Sequence, residues 1–401
     1  MASPAFLLEG TKVPSPCFVV DLDALRANMA ILDGVQRRTG ARVLLALKCF
    51  AAWRCFPLLS RALGQGGTLW GTCASSVDEA RLGREDFGGE VHAFAAAWSE
   101  AEMQELVGLV DAVSFNSPRQ WTKFRELVQR APRHIECGLR INPEHSEGTV
   151  PMYDPCSPTS RLGIRRRNMP DGIMETGISG LHFHTLCEQG ADALARTVEA
   201  VERQFAPFLE RCQWINCGGG HHITRKGYDL DLLCETVCHL RDTWGAQIYL
   251  EPGEACALDA GWLVATVLDV TDADMPLVQI DSSAACHMPD VLEMPYTPRI
   301  LYEHGGALVH AGEPGEKRWT CRIGGKSCLA GDVVGEYSFE HELAEGERLI
   351  FEDMAIYSMV KTNTFNGLRL PGIGLAENRA DAVDFRLVRE FGYSDFRTRL
   401  S

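Results

Sequence analysis

A lysine closes the apolar run Val43-Leu44-Leu45-Ala46-Leu47-Lys48, which reads as a buried strand. An unpaired ammonium is costly there. Burial lowers the pKa of an amine and makes it a nucleophile toward carbonyl carbon; otherwise the head must reach solvent past the strand end. Three more strand-like runs end in reactive or permissive groups. One ends in His184, one runs into Gly218-Gly219-Gly220, and one ends in Glu251-Pro252-Gly253. Taken singly, these are a core histidine, a turn and a cap. Taken together, they meet the needs of pyridoxal phosphate. Lys48 can link to the aldehyde, and backbone N–H groups of the glycines can cradle the phosphate. Glu251 can keep the ring nitrogen protonated and His184 can stack on the ring face. The rival chemistry is a metal hydrolase built on His182 and His184 with His221 and His222. It leaves Lys48 and Glu251 with little to do, so no metal is expected.

The elements that must position these groups alternate in type. Eight strand-like runs cover 43–49, 68–74, 90–96, 112–117, 137–143, 180–186, 214–220 and 248–253. Amphipathic stretches lie between them, at 76–87, 99–110, 117–129, 188–212 and 228–244, and another at 23–38 precedes the first run. Ser76, Ser99 and Ser117 stand at cap positions, and Pro118 sits in a first turn. This alternation predicts a (β/α)8 barrel, whose catalytic groups sit at the C-terminal ends of the strands. A doubly wound sheet is the rival, but no GxGxxG follows any run. The segment 145–170 is rich in Pro, Ser and Arg and reads as a long irregular loop. After Gly253 the pattern becomes that of an all-β domain, with strands expected at 262–270, 277–281, 318–323, 332–338, 348–351 and 360–365. The expected division is a barrel over 15–253 and a β domain over 254–401, joined by residues 1–14, while 17–20 could add a strand to either part.

The chain has 401 residues, 45% hydrophobic and 23% charged, with a formal charge of −15. That surface disfavours nucleic acid and anionic membranes and suits a cationic substrate. No apolar stretch is long enough to span a bilayer, and residues 1–10 lack the pattern of a signal peptide. The 15 cysteines form no CxxC pair, which argues for reduced thiols and a cytoplasmic setting.

At these residues the chain resembles the fold-type III pyridoxal phosphate decarboxylases, the group of the ornithine, arginine and diaminopimelate enzymes with alanine racemase as a relative. Within that group it resembles the carboxynorspermidine/carboxyspermidine decarboxylases. The blocks that carry the likeness are LLALKCFAAW (44–53), ASSVDEARLG (74–83), SRLGI (160–164), GLHFHTLCE (180–188), NCGGGHHITRKGYD (216–229), YLEPGEA (249–255), CHMPDVLEMPY (286–296), GGKSCLAGD (324–332) and VKTNTFNG (360–367).

The resemblance implies an alanine-racemase-type barrel with a β domain. It implies that Lys48 carries the coenzyme, His184 stacks on it, Gly219 and Gly220 with Tyr357 hold its phosphate, and Glu251 binds its ring nitrogen. It makes Cys328 the general acid, supplied by the partner in a homodimer, and places Asp332 toward a substrate amine. Glu254 stands where many relatives have a phosphate-site arginine, and Leu186-Cys187-Glu188 replaces their Gly-Ser. Glu293 stands about where diaminopimelate enzymes have an arginine. With Asp290 and Glu254 it makes the expected substrate pocket anionic, which suits a carboxylated polyamine. Diaminopimelate, ornithine or arginine decarboxylation, another coenzyme reaction such as racemisation, and a non-catalytic homologue are the alternatives.

Overall fold

The structure, a computed structural model, describes residues 3–148, 153–379 and 382–401. Part of the predicted irregular loop, 149–152, lies outside the described residues. The chain divides into two compact units, Arg26–Cys256 and Met1–Leu25 with Ala257–Ser401. The division therefore falls at 25 and 256, not at 14 and 253. The strand Cys17–Asp21 accounts for the first difference. It inserts between Gly261–Asp272, antiparallel, and Gly372–Arg379, parallel.

In the first unit, eight parallel strands close among the described residues: β1 (Arg42–Ala46), β2 (Gly71–Ala74), β3 (Glu90–Phe94), β4 (Ala112–Phe115), β5 (Glu136–Asn142), β6 (Gly180–His182), β7 (Trp214–Asn216) and β8 (Gln247–Leu250). Closure comes from β8, which pairs with β7 on one side and with β1 on the other, at Tyr249↔Arg42 and Leu250↔Val43. Each expected run overlaps its strand, with β1, β5 and β8 starting one residue before the run, and all but β2 stop earlier than the hydrophobic pattern does. Helices follow where the spacing places them. Ser99 and Glu102 form a reciprocal cap on Glu100–Leu106, and Ser117 caps Pro118–Gln129. The barrel interior below the strand ends is packed with Trp214, Tyr249 and Leu44. Gly180 is required there, since a Cβ would lie 2.1 Å from the Trp214 ring.

The second unit is a mixed sheet over a core of Phe6, Leu7, Val19, Trp262, Val264 and Ile350. The expected strand at 360–365 is absent. Tyr357–Val360 makes one helical turn and Phe365–Gly367 a tight turn. Two β-branched threonines favour a strand locally. Tertiary bonds override them: Asn363 N–H donates to Cys286 O at 2.9 Å and its side chain donates to Ala285 O at 2.8 Å. Two hairpins escaped the sequence reading, Ile300–His304 with Ala307–His310, and Gly372–Arg379 with Ala382–Arg389. Among the described residues no helix is long and apolar enough to cross a membrane.

Candidate active site

A cavity at the C-terminal ends of the barrel strands is lined by Lys48, Cys73, Phe94, Arg140, His182, His184 and Glu251, with Ala46 and Ser75. Lys48 lies two residues beyond β1, in a turn closed by Cys49 N–H on Ala46 O at 3.1 Å. It is exposed, contrary to the burial expected of it, because the strand ends at Ala46 and the turn lifts the side chain to the rim. Its charge still acts on the wall, where it helps depress His184.

Glu251 follows β8 and is buried, 8% exposed. Asn216, the last residue of β7, donates from Nδ2 to Glu251 Oε1 at 2.6 Å and accepts from Gly218 N–H at 2.8 Å. His182 Nε2 lies 3.4 Å from Glu251 Oε2. Burial pushes the Glu251 carboxyl up. His182, the Asn216 amide and the Cys73 thiol outweigh it and hold the carboxyl well below the usual range. Burial likewise pushes His182 down, against the pull of Glu251. The glutamate is thus an anion already supported on one side.

His184 lies two residues past β6 and is half-buried. Gly219 N–H donates to its Nδ1 at 2.9 Å, so that nitrogen carries no proton. Burial, Lys48, Arg140 and His182 all push His184 well below its ordinary value, and the ring is neutral. The Gly219 N–H expected to meet a phosphate is therefore already engaged in orienting the ring. The absent side chains of the glycine loop matter as well. A Cβ on Gly219 would lie 2.1 Å from Glu251 O, and one on Gly220, at φ +84°, 1.9 Å from Leu186 O. Glu254 accepts from His222 Nε2 at 3.0 Å. Burial lowers His222, but Glu254 and Glu188 raise it above its ordinary value. His221 turns instead to the Tyr228 hydroxyl at 2.7 Å. The four histidines thus face different partners.

Arg140 was missed in the sequence. It is buried on β5, donates to His184 O at 3.1 Å and lies 4.4 Å above the Phe94 ring. Burial lowers its pKa to about 10, opposed by Glu251. An arginine inside Cys137-Gly138-Leu139-Arg140-Ile141 was the available signal. Asn216 and Cys73 were missed too.

The remaining expected site residues belong to the second unit. Asp332 is buried, and its oxygens accept from Ser283 Oγ (2.8 Å), Ala285 N–H (3.1 Å), Ser327 N–H (3.1 Å) and Ser327 Oγ (2.6 Å). It braces the turn that carries Cys328. Cys328 is exposed and contacts Asn366. Asp290 and Glu293 both hold Lys361 Nζ, so the expected anionic pair has an internal counter-ion. Burial lowers Lys361, but the hydrogen bonds from both carboxylates raise it. Tyr357 begins the helical turn just before Lys361.

The donor set fits pyridoxal phosphate. An amine, a buried carboxylate held ionised, a neutral ring and a buried guanidinium line one cavity, and His182, paired to Glu251 through Nε2, has no hydrogen-bond partner at Nδ1. Comparison with known proteins agrees. The family described as pyridoxal-dependent decarboxylase, C-terminal sheet domain, matches residues 17–355. A carboxyaminopropylagmatine decarboxylase of Synechocystis is 40% identical over 97% of this chain and 96% of its own length. A carboxynorspermidine/carboxyspermidine decarboxylase of Campylobacter jejuni is 37% identical over 97% and 99%. The crystal structure of a Campylobacter jejuni carboxynorspermidine decarboxylase complexed with norspermidine superposes with a TM-score of 0.82, at 35% identity, over 96% of this chain and 100% of that one. A diaminopimelate decarboxylase structure at 19% identity, TM-score 0.81, shares the fold. The chain belongs to the pyridoxal-dependent decarboxylases.

Proposed function

We propose that this chain decarboxylates a polyamine carrying a 3-amino-3-carboxypropyl group, carboxynorspermidine or carboxyspermidine. The observation that carries the reading is the cavity of Lys48, Glu251, His184 and Arg140 in a chain alike over its whole length to enzymes of that name. Pyridoxal phosphate, when bound, supplies the sink for the electron pair left as carbon dioxide departs. Lys48, whose amine lines the cavity, would anchor the coenzyme. Glu251, ionised against burial, keeps the proton on the ring nitrogen. His184, fixed by the Gly219 N–H, presents a neutral face to the ring. The 218–220 loop would hold the phosphate, a role the resemblance also gives Tyr357, and His222 stands bonded to Glu254, where many relatives have an arginine. Cys328 returns a proton to the α carbon. Asp290, Glu293 and Glu254 draw the ammonium groups of the tail. The exposed Cys328, Leu329 and Phe365 support completion of the site by a second copy of the chain, a homodimer. The free thiols suit the cytoplasm.

A second reading is favoured by the 40% identity to the carboxyaminopropylagmatine enzyme. Its substrate shares the reacting group and ends in a guanidinium. Steady-state kinetics on these three substrates, with diaminopimelate, ornithine and arginine beside them, decide the matter. Release of carbon dioxide is expected with the first three only, and wild-type protein is expected to trap the coenzyme on Lys48 with borohydride. Lys48→Ala should lose both the adduct and turnover. A preference for diaminopimelate, or an adduct elsewhere in the chain, overturns the reading.

A further inference from the structure

Cys328 is the exposed one of the fifteen cysteines. Its backbone N–H donates to Asn366 Oδ1 at 3.0 Å, and its Sγ lies 3.2 Å from the same oxygen. The backbone contact fixes which way the carboxamide faces, because only its oxygen accepts from an N–H. The sulfur therefore meets an acceptor and makes the contact as S–H. A thiolate has no proton to donate and would face the oxygen's lone pairs. Both partners are pinned. Asn366 sits in the left-handed region at φ 56°, which asparagine tolerates. The preceding Phe365 N–H donates to Asn363 Oδ1 at 3.0 Å, and Asn363 is tied to Cys286 and Ala285. On the other side Asp332 braces Ser327, the neighbour of Cys328.

We propose that Asn366 is a positioning residue that receives the S–H of Cys328 and aims it, so that the thiol arrives at the reaction as an acid. The inference rests on the reading of Cys328 as proton donor. In that step the S–H bond breaks, a C–H bond forms at the substrate α carbon, the S–H electron pair stays on sulfur, and a solvent proton later restores the thiol.

The test compares the full-length protein with Asn366→Gly, Asn366→Asp and Cys328→Ala. Glycine keeps the left-handed backbone and deletes the acceptor, while aspartate keeps an acceptor and adds charge. Iodoacetamide reacts with thiolate, and peptide mapping reads its attachment to Cys328. Near neutral pH, alkylation is expected to speed up by about fivefold or more in Asn366→Gly and to slow in Asn366→Asp. A merely structural role would loosen the turn and speed both. In Asn366→Gly kcat falls with KM unchanged, and polyamine formed per carbon dioxide released drops below one. Wild-type alkylation in Asn366→Gly, or acceleration in both variants, overturns the inference while leaving the proton-donor reading intact. Unaltered turnover and product ratio in Cys328→Ala remove the proton-donor reading, and the inference with it.

Discussion

Glu251 is an anion where burial alone would neutralise it, and the reason lies in single atoms. Asn216 uses one end of its amide on the carboxylate and the other on Gly218 N–H, so the strand end and the glycine loop share one side chain. Lys361 poses the converse problem. It occupies both carboxylates expected to draw the substrate tail, and a tail ammonium must displace it. The lysine is about one-third exposed, so screening keeps each pair's worth under ~1 kcal/mol. Lys361→Met is therefore expected to lower KM for carboxyspermidine by about threefold with kcat unchanged. A KM at or above that of wild type would show that Asp290 and Glu293 do not hold the tail. At this scale the sequence exposed the groups whose type is unusual for their place, Lys48, His184 and Glu251. It hid Asn216, Cys73, Asn366 and Lys361, whose roles depend on partners distant in sequence or across a turn. Asp332 was visible, but nothing local shows that its oxygens accept from four donors.

At the scale of elements, the strand–helix alternation of the barrel was legible because each strand is a short apolar run and each helix carries its own cap. Where hydrophobicity outran pairing, the ends were misjudged, so Lys48 and His184 lie beyond their strands. The hairpin at Gly305-Gly306 turns on two glycines with φ +62° and +82°, a local signal of the kind that marks a tight hairpin. The segment 360–365 could not be read locally, since tertiary bonds decide it. The 325–332 turn is the clearest case of an element specified by one residue. Its conformation depends on four donors converging on Asp332. Asp332→Asn puts an NH2 group against at least one of them, and leaving buried donors unmatched costs about 2–3 kcal/mol. Urea unfolding of the variant should show that loss, together with a fall in kcat as Cys328 loses its support. A stability change below about 0.5 kcal/mol would mean that the turn is held by other contacts.

Across the whole molecule, each unit encloses a histidine that burial keeps neutral. In the barrel unit His221 is 2% exposed, and burial and then His222 lower its pKa from 6.5 to about 4. In the sheet unit His287 is 1% exposed, its Nδ1 lies 3.1 Å from Ser282 Oγ, and burial lowers it likewise to about 4. Well above pH 6.5 both histidines are neutral whether the chain is folded or not, and they leave stability unaffected. As pH falls from 6.5 toward 4 the unfolded chain takes up protons that the folded units refuse, so stability drops by about 3 kcal/mol per histidine before levelling. Both units should therefore weaken in the same window, and the denaturant midpoint should fall steeply from pH 7 toward pH 4.5. His287→Gln keeps a polar group near Ser282 and removes the titration, so it should flatten the sheet unit's part of that slope and leave the barrel's part in place. An unchanged slope in that variant would assign the acid sensitivity to the carboxylate pairs instead.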